Sequence, residues 1–398
     1  MTIVTRRDTL LPDPEPRPVR YTVISVDDHL VEPPDMFEGR LPARFADRAP
    51  RIVENSRGHQ LWEFDGKQYS QVGMNAVAGR RPEAVTLEPT RFEDMRRGCW
   101  DIDARIDDMD LNGVWASLNF PSQITGFSGR VFSECSDPEL GVAVTRAWND
   151  WLHDAWWQPY PDRIIPCGIT YLADPVVGAD EVRRNADRGF RSVTLPERPH
   201  RIGLPSLFSG YWDPIIDACQ ETDTVVSLHV GSSGMPDMPA DSPLVALGAT
   251  LFGQMSLSAC AEWLWSGIPV RYPDIRIAMS EGGIGWVAML LDRLDNIVTR
   301  SGYGRDFDPG GLLPAEVLMR NFFFCTIDDP STIETRHRIG IDHIMVEVDY
   351  PHGDSTWPDT QAVIDDCWGH LPVDELRKLT HENAAALYRW PLPADRRP

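Results

Sequence analysis

Residues 23–34 read VISVDDHLVEPP, a β-branched run that closes on Asp27, Asp28, His29 and, three residues later, Glu32. Alternate side chains on a strand point to opposite faces, so Asp27 and His29 project together while Asp28 points away. Two metal-competent side chains therefore converge at the end of an apolar strand, beside a Pro-rich loop. In α/β folds that is where ligands collect. Read alone, the same residues also make an ordinary strand-end turn, since Asp and His favour turns.

Outward from this strand the chain alternates. Strands are expected over residues 23–27, 114–120, 164–170, 191–195, 224–229, 275–280, 322–327 and 343–348, with helical segments between them. ARIDDMDLNG reads as a helix stopped by Gly113, and Val144, Trp148, Trp151 and Ala155 fall at helical spacing as a core or interface stripe. Eight strand and helix units in a chain of 398 residues favour a (β/α)8 TIM barrel. Residues 1–20, with Pro12, Pro14, Pro16 and Pro18, read as an N-terminal arm that embraces a neighbour or stays loose. Residues 21–398 form the barrel domain, with an insertion after strand 1 at about 31–101 that contains a hairpin turning at Asp65-Gly66. The stretch VDELRKLTHENAAALYRW closes the barrel as an amphipathic helix that buries Leu376, Leu379, Ala384 and Leu387.

Composition narrows the function. Lys and Arg total 38 against 60 Asp and Glu, a formal net charge of −22, which repels nucleic acid and anionic membrane. The partner is a small molecule. No apolar leader opens the chain and no stretch reaches the length of a membrane span, so the reading is a soluble cytoplasmic protein. Seven cysteines, scattered and without a Cys-x-x-Cys pair, argue against a disulfide scaffold or a structural zinc site. The 14 tryptophans and the arm point to a homo- or hetero-oligomer.

A barrel enzyme gathers its chemistry from several strand ends on one face. Four of the expected strands supply it: the first with Asp27 and His29, the fifth with His229, the sixth with Glu281 before Gly282-Gly283, and the eighth with Asp349 and, just beyond, His352. Two carboxylates and two imidazoles suit Zn, Fe(II) or Mn, zinc being the first expectation. Zinc would lower the pKa of a coordinated water to about 7 and polarise a carbonyl. Asp349, Glu281 and His352 are then the candidate proton carriers, with His352 alternatively a group that holds Asp349 in place. Trp100, Phe127, Trp286 and Trp357 suggest an apolar-walled pocket, although such aromatics more often pack than touch substrate.

VDDHLVEP, the strand-end His229, SEGGIGW, VDYPHGDSTWP and ENAAALY together resemble the amidohydrolase-related branch of the metal-dependent amidohydrolase superfamily. That branch also holds amino-carboxymuconate-semialdehyde and γ-resorcylate decarboxylases. The resemblance spans nearly the whole chain and implies a distorted TIM barrel with a divalent metal at Asp27, His29, His229 and Asp349. It implies a hydrolase or carboxy-lyase working through metal-activated water, or alternatively an oxygen-dependent hydroxylase subunit of the 2-aminoisobutyrate hydroxylase type in a hetero-oligomer. Two departures stand out. Asp27 occupies a position where many members carry His, and Glu281 stands where the decarboxylases place a proton-handling His. No lysine ends the fourth strand, which offers Thr194 and Glu197 instead, so a second metal would need Glu281 or Glu32.

Overall fold

Three helices begin where an aspartate side chain can accept the free amide protons of a first turn. Asp101 caps Ile102–Asn112, Asp137 caps Pro138–Trp151 and Asp174 caps Pro175–Asp187, and the proline in the last two occupies a position that needs no N–H. Gly113, in the left-handed region at φ 72°, ends the first of them as expected. The second starts at Pro138, ahead of Val144 in the expected stripe, because the Asp137-Pro138 cap sets it. The computed structural model describes residues 10–81, 85 and 89–395.

The strands fall close to their expected places. β1 (Ile24–His29) is followed by β2 (Arg51–Glu54), β3 (Gln60–Phe64) and β4 (Lys67–Tyr69), an antiparallel sheet of their own. Its hairpin turns at Asp65 and Gly66, both at positive φ, the turn that Asp-Gly favours. Then come β5 (Ala116–Phe120), β6 (Ile164–Ile165), β7 (Cys167–Gly168), β8 (Ser192–Leu195), β9 (Val225–His229), β10 (Ile277–Ser280), β11 (Phe322–Thr326) and β12 (Ile344–Val346). All pairings among these and β1 are parallel, in the orders β1-β5-β6 and β7-β8-β9-β10-β11-β12. Their residues are almost all buried, the signature of a parallel sheet covered on both faces.

Only Pro166, which lacks an N–H, separates β6 from β7, so the single strand expected at 164–170 is split there. The Asp349 amide donates to the Asp27 carbonyl at 2.8 Å and the His29 amide to the Tyr350 carbonyl at 2.6 Å. Pairing with β5, Asp28 opposite Asn119 and His29 opposite Phe120, carries β1 two residues past its expected end. Pairing of β1 with β5 shifts between Ser25 and Asp28, a bulge of the kind that re-aims side chains.

Two surrounding pieces bear on the strand ends. Residues 10–20 lie along this same chain: the Leu11 amide donates to the Gly79 carbonyl at 2.8 Å, Arg96 pairs with Asp13 at 2.8 Å and Arg20 with Asp365 at 2.5 Å. The expected arm thus packs on its own protomer, and its first nine residues lie outside the described ones. Residues 71–80 cross the end of β1, with the amides of Val77 and Ala78 both donating to the Pro351 carbonyl at 2.9 Å. The terminal segment buries Leu376, Leu379, Ala384 and Leu387 as expected, and Tyr388 reaches Ser227 on β9 at 3.4 Å. The seven cysteines are all free.

Candidate active site

β9, β10 and β12 belong to one parallel sheet, the end of β1 is hydrogen-bonded to the segment after β12 through Asp27 and His29, and four sequence-selected residues meet there. His29 Nε2 lies 2.9 Å from His229 Nε2, 3.4 Å from Asp27 Oδ1 and 3.2 Å from Asp349 Oδ1. The two imidazole tips point at each other. His229 Nδ1 lies 2.5 Å from the Val230 carbonyl; a carbonyl only accepts, so Nδ1 carries the proton and Nε2 presents a bare lone pair. Both oxygens of Asp27 and of Asp349 are buried with no hydrogen-bond donor aligned on them. Asp27, His29 and His229 each offer a donor atom within 4.8 Å of the others, as do His29, Asp349 and His352.

A second tier flanks them. Glu281 Oε2 lies 3.5 Å from His229 Nε2 and its Oε1 3.9 Å from His352 Nδ1, and His352 Nδ1 lies 3.0 Å from Asp349 Oδ1. His352 stacks on His29 with ring centres 3.8 Å apart. Glu281 and Asp349 hold φ of 62° and 57°, a region that costs a residue with a Cβ about 1–2 kcal/mol. Strain of that kind persists at functional sites when the surroundings enforce it. For Glu281 the enforcer is Glu347, whose Oε2 accepts the Glu281 amide at 3.0 Å.

Burial dominates the electrostatics. It pushes the Asp27 and Asp349 carboxyls well above the usual range, and neighbouring carboxylates add to the push. Burial likewise holds His29 well below its usual value, reinforced by His352 and His229. His352 goes the other way: burial opposes its charge, but the Asp349 and Glu281 carboxylates outweigh that and raise it well above the usual range. Glu347 is pushed up to about 8, by burial first.

Asp28 points away, as alternation requires. It accepts hydrogen bonds from Ser25 Oγ and the Tyr350 amide, both at 3.0 Å, and from Ser117 Oγ, so it stitches β1 to β5 and to the segment carrying Asp349. Glu32 is engaged too, accepting from the Ser122 amide and Trp148 Nε1, both at 3.1 Å, and from Ser122 Oγ. Of the four aromatics, only Phe127 reaches the site, stacked on the His229 ring at 5.2 Å between centres. Trp286 donates to the Gly282 carbonyl, Trp357 donates to the Asp108 carbonyl, and Trp100 packs edge-on against Phe92.

Sequence reading missed Glu347, although alternation from Asp349 puts it on the same face two residues earlier. It also missed Met74 and Ala76, which lie beside His29 and His352. No periodic signal marks such a loop.

A family model described as amidohydrolase matches residues 29–390. The chain belongs to the amidohydrolase family. No curated protein matches it, but solved structures do. An amidohydrolase from Mycobacterium avium subsp. paratuberculosis K-10 is 22% identical, with 92% of this chain and 99% of that one covered and a TM-score of 0.70. The 5-carboxyvanillate decarboxylase of Novosphingobium aromaticivorans, complexed with manganese and 4-hydroxy-3-methoxy-5-nitrobenzoic acid, is 19% identical over 93% and 96% of the two chains, with a TM-score of 0.65. The 2,6-dihydroxybenzoate decarboxylase from Rhizobium is 16% identical over 93% and 99%, with a TM-score of 0.62. These amidohydrolase neighbours imply a TIM barrel for the chain, and at such identities they speak to fold alone. No single helix among the described residues is long and apolar enough to cross a membrane.

Proposed function

We propose that this chain is a metal-dependent enzyme, a hydrolase or carboxy-lyase acting on a small organic substrate, with a divalent ion held by Asp27, His29, His229 and Asp349. One observation carries the reading: His229 presents an unprotonated Nε2 2.9 Å from the Nε2 of His29, among four carboxylate oxygens that have no aligned donor. Lone pairs gathered in a dry space repel, and leaving such groups unpaired is expensive. A cation at their centre removes the repulsion. The mixed oxygen and nitrogen donors suit zinc, manganese or iron(II), and the manganese of the Novosphingobium neighbour supports that range.

The two parallel sheets are read as arcs of one closed barrel, joined across Pro166 and across the Asp349-to-Asp27 hydrogen bond, which puts the ligands at the catalytic end of a TIM barrel. When bound, the ion would supply a Lewis acid that polarises a substrate oxygen and acidifies water. Proton handling then falls to this chain's own side chains. Asp349 takes a proton at its carboxylate, His352 holds the charge beside it, and Glu281 faces His229 and His352 from the end of β10. Glu281, Asp349 and Asp354 also bring one oxygen each within 4.8 Å of one another, which supports a bridging role for Glu281 should a second ion bind. No observation favours the oxygen-dependent hydroxylase over this reading.

Metal analysis tests it. The purified protein should carry at least one equivalent of a divalent transition metal, and His229→Ala and Asp27→Asn should each lose most of it while circular dichroism stays unchanged. Full retention in His229→Ala overturns the assignment. Assays of CO2 release from aromatic acids beside hydrolysis of amides and esters then separate the two reaction types.

A further inference from the structure

Glu197 follows β8, is buried, and takes no part in the proton handling above. Its backbone is fixed from two sides: the carbonyl accepts Trp263 Nε1 at 2.9 Å and the amide donates to Ser232 Oγ at 3.0 Å. The next amide, that of Arg198, donates to Ser233 Oγ at 2.8 Å. Held in this way, the side chain reaches the turn that follows His229, where its Oε1 accepts the Gly231 amide at 3.2 Å.

That amide belongs to the peptide joining Val230 to Gly231. The carbonyl of the same peptide accepts the Nδ1 proton of His229 at 2.5 Å. A trans peptide is planar, with its N–H and C=O directed to opposite sides, so one rigid group is gripped at one end by Glu197 and grips His229 at the other. Which imidazole nitrogen keeps the proton is set by the hydrogen bond the other nitrogen makes. Gly231 sits at φ 83°, and glycine takes either sign of φ, so this peptide can turn over at little steric cost. Turned over, it would present its N–H to Nδ1 and drive the proton to Nε2, the atom aimed at His29. Glu197 opposes that flip, because the flipped peptide would set a carbonyl oxygen against its own. An acceptor on the N–H also polarises the peptide and strengthens its carbonyl as an acceptor.

We propose that Glu197 is a positioning residue: acting through the Val230-Gly231 peptide, it fixes the tautomer of His229 and keeps Nε2 free for a cation. The effect on metal affinity rests on the proposed metal site. The tautomer itself is a property of the metal-free chain.

Two measurements test it. Long-range proton-nitrogen NMR spectra of the metal-free protein, isotopically labelled at histidine, read the tautomer, with His229 assigned by the signals lost in His229→Asn. Zinc titration against a chelating competitor reads the affinity. In the wild type the proton of His229 should sit on Nδ1. Glu197→Gln keeps the reach and a carbonyl acceptor, so the tautomer should stay and zinc affinity should hold within about threefold. Glu197→Asp keeps the charge but is one methylene shorter, and Glu197→Met has no acceptor. In both, a population protonated at Nε2 should appear and zinc should bind at least about tenfold more weakly, the scale of a lost partner behind a metal-bound histidine. A merely structural Glu197 would lower the melting temperature of these two variants without moving the tautomer. Should Glu197→Met fail to fold, Glu197→Asp decides. Overturning results are a wild-type His229 protonated on Nε2, or a folded Glu197→Asp or Glu197→Met with the wild-type tautomer and affinity. A wild type that binds no zinc sinks the metal assignment, and the tautomer comparison still decides the role of Glu197.

Discussion

Glu281 is the residue in which sequence, backbone and charge converge. It stands one position past β10, in the left-handed region at φ 62°, its amide held by Glu347 and its carboxylate facing His229 and His352. A side chain in that backbone state stays put only if the site uses it or its surroundings compel it. Glu281→Gln keeps the shape and loses the charge, so turnover should fall by at least about a hundredfold, the scale of a lost general acid or base. The melting temperature should move little. Metal stoichiometry of the variant separates the roles: loss of one ion of two marks a ligand, and unchanged metal with lost turnover marks a proton carrier. Wild-type turnover would reduce Glu281 to a structural residue.

The elements that carry the site were legible because each has a local cause. β-branched runs bounded by Gly and Pro mark the strands, Asp137-Pro138 and Asp174-Pro175 open their helices, and Asp65-Gly66 turns the hairpin. Asp27, His29, His229 and Asp349 could be singled out because a strand end followed by a loop is a recognisable place in sequence. What escaped reading has no local signature. The bulge between Ser25 and Asp28 follows from pairing with β5, and the seating of residues 71–80 on Pro351 is a contact between distant parts of the chain. The path of residues 10–20 was open in sequence because its partners, Gly79, Arg96 and Asp365, lie far along the chain.

Glu197, beyond β8, belongs to the same scale. It accepts the Gly231 amide at 3.2 Å and its own amide donates to Ser232 Oγ at 3.0 Å, so it shapes the loop that follows His229. Burial pushes its carboxyl from the usual 4.5 to about 7. The unfolded chain releases this proton near pH 4.5 and the folded chain near 7. The stabilisation is therefore fully present below 4.5 and is lost as pH rises through 7, an amount on the order of 3 kcal/mol. Glu197→Gln cannot ionise and keeps the acceptor for Gly231. Its melting temperature should exceed the wild type's at pH 8, with the excess shrinking as pH falls to 5. An unchanged difference across that range would deny Glu197 this role.

On the scale of the whole molecule, a net charge of −22 sets copies of the chain against one another except where a face is uncharged. One stretch comes near that condition, with Arg201 the charge beside it, donating to the Met235 carbonyl at 2.8 Å. From Ser242 to Ala261 the sequence has no charged residue, and the helix Leu244–Thr250 exposes Leu244 and Val245, with Met235 also exposed nearby and its side chain against Gly248. Elsewhere the exposed helices carry arginine and acid pairs such as Arg338 with Asp295 and Arg183 with Glu221, which cost little in water and contribute little. Apolar surface without charge is what an interface needs at its centre, and like-charge repulsion is weakest where that surface meets its own copy. We propose a dimer formed through this face, with the loop after His229 running beneath it. Sedimentation at micromolar concentration should give about twice the mass of the 44.9 kDa chain. Leu244→Glu, which places a new negative charge at the centre of a self-complementary contact and so counts twice, should shift the protein to monomer with its metal content intact. A wild type that sediments as monomer removes the proposal, and a dimer untouched by Leu244→Glu moves the interface to another face.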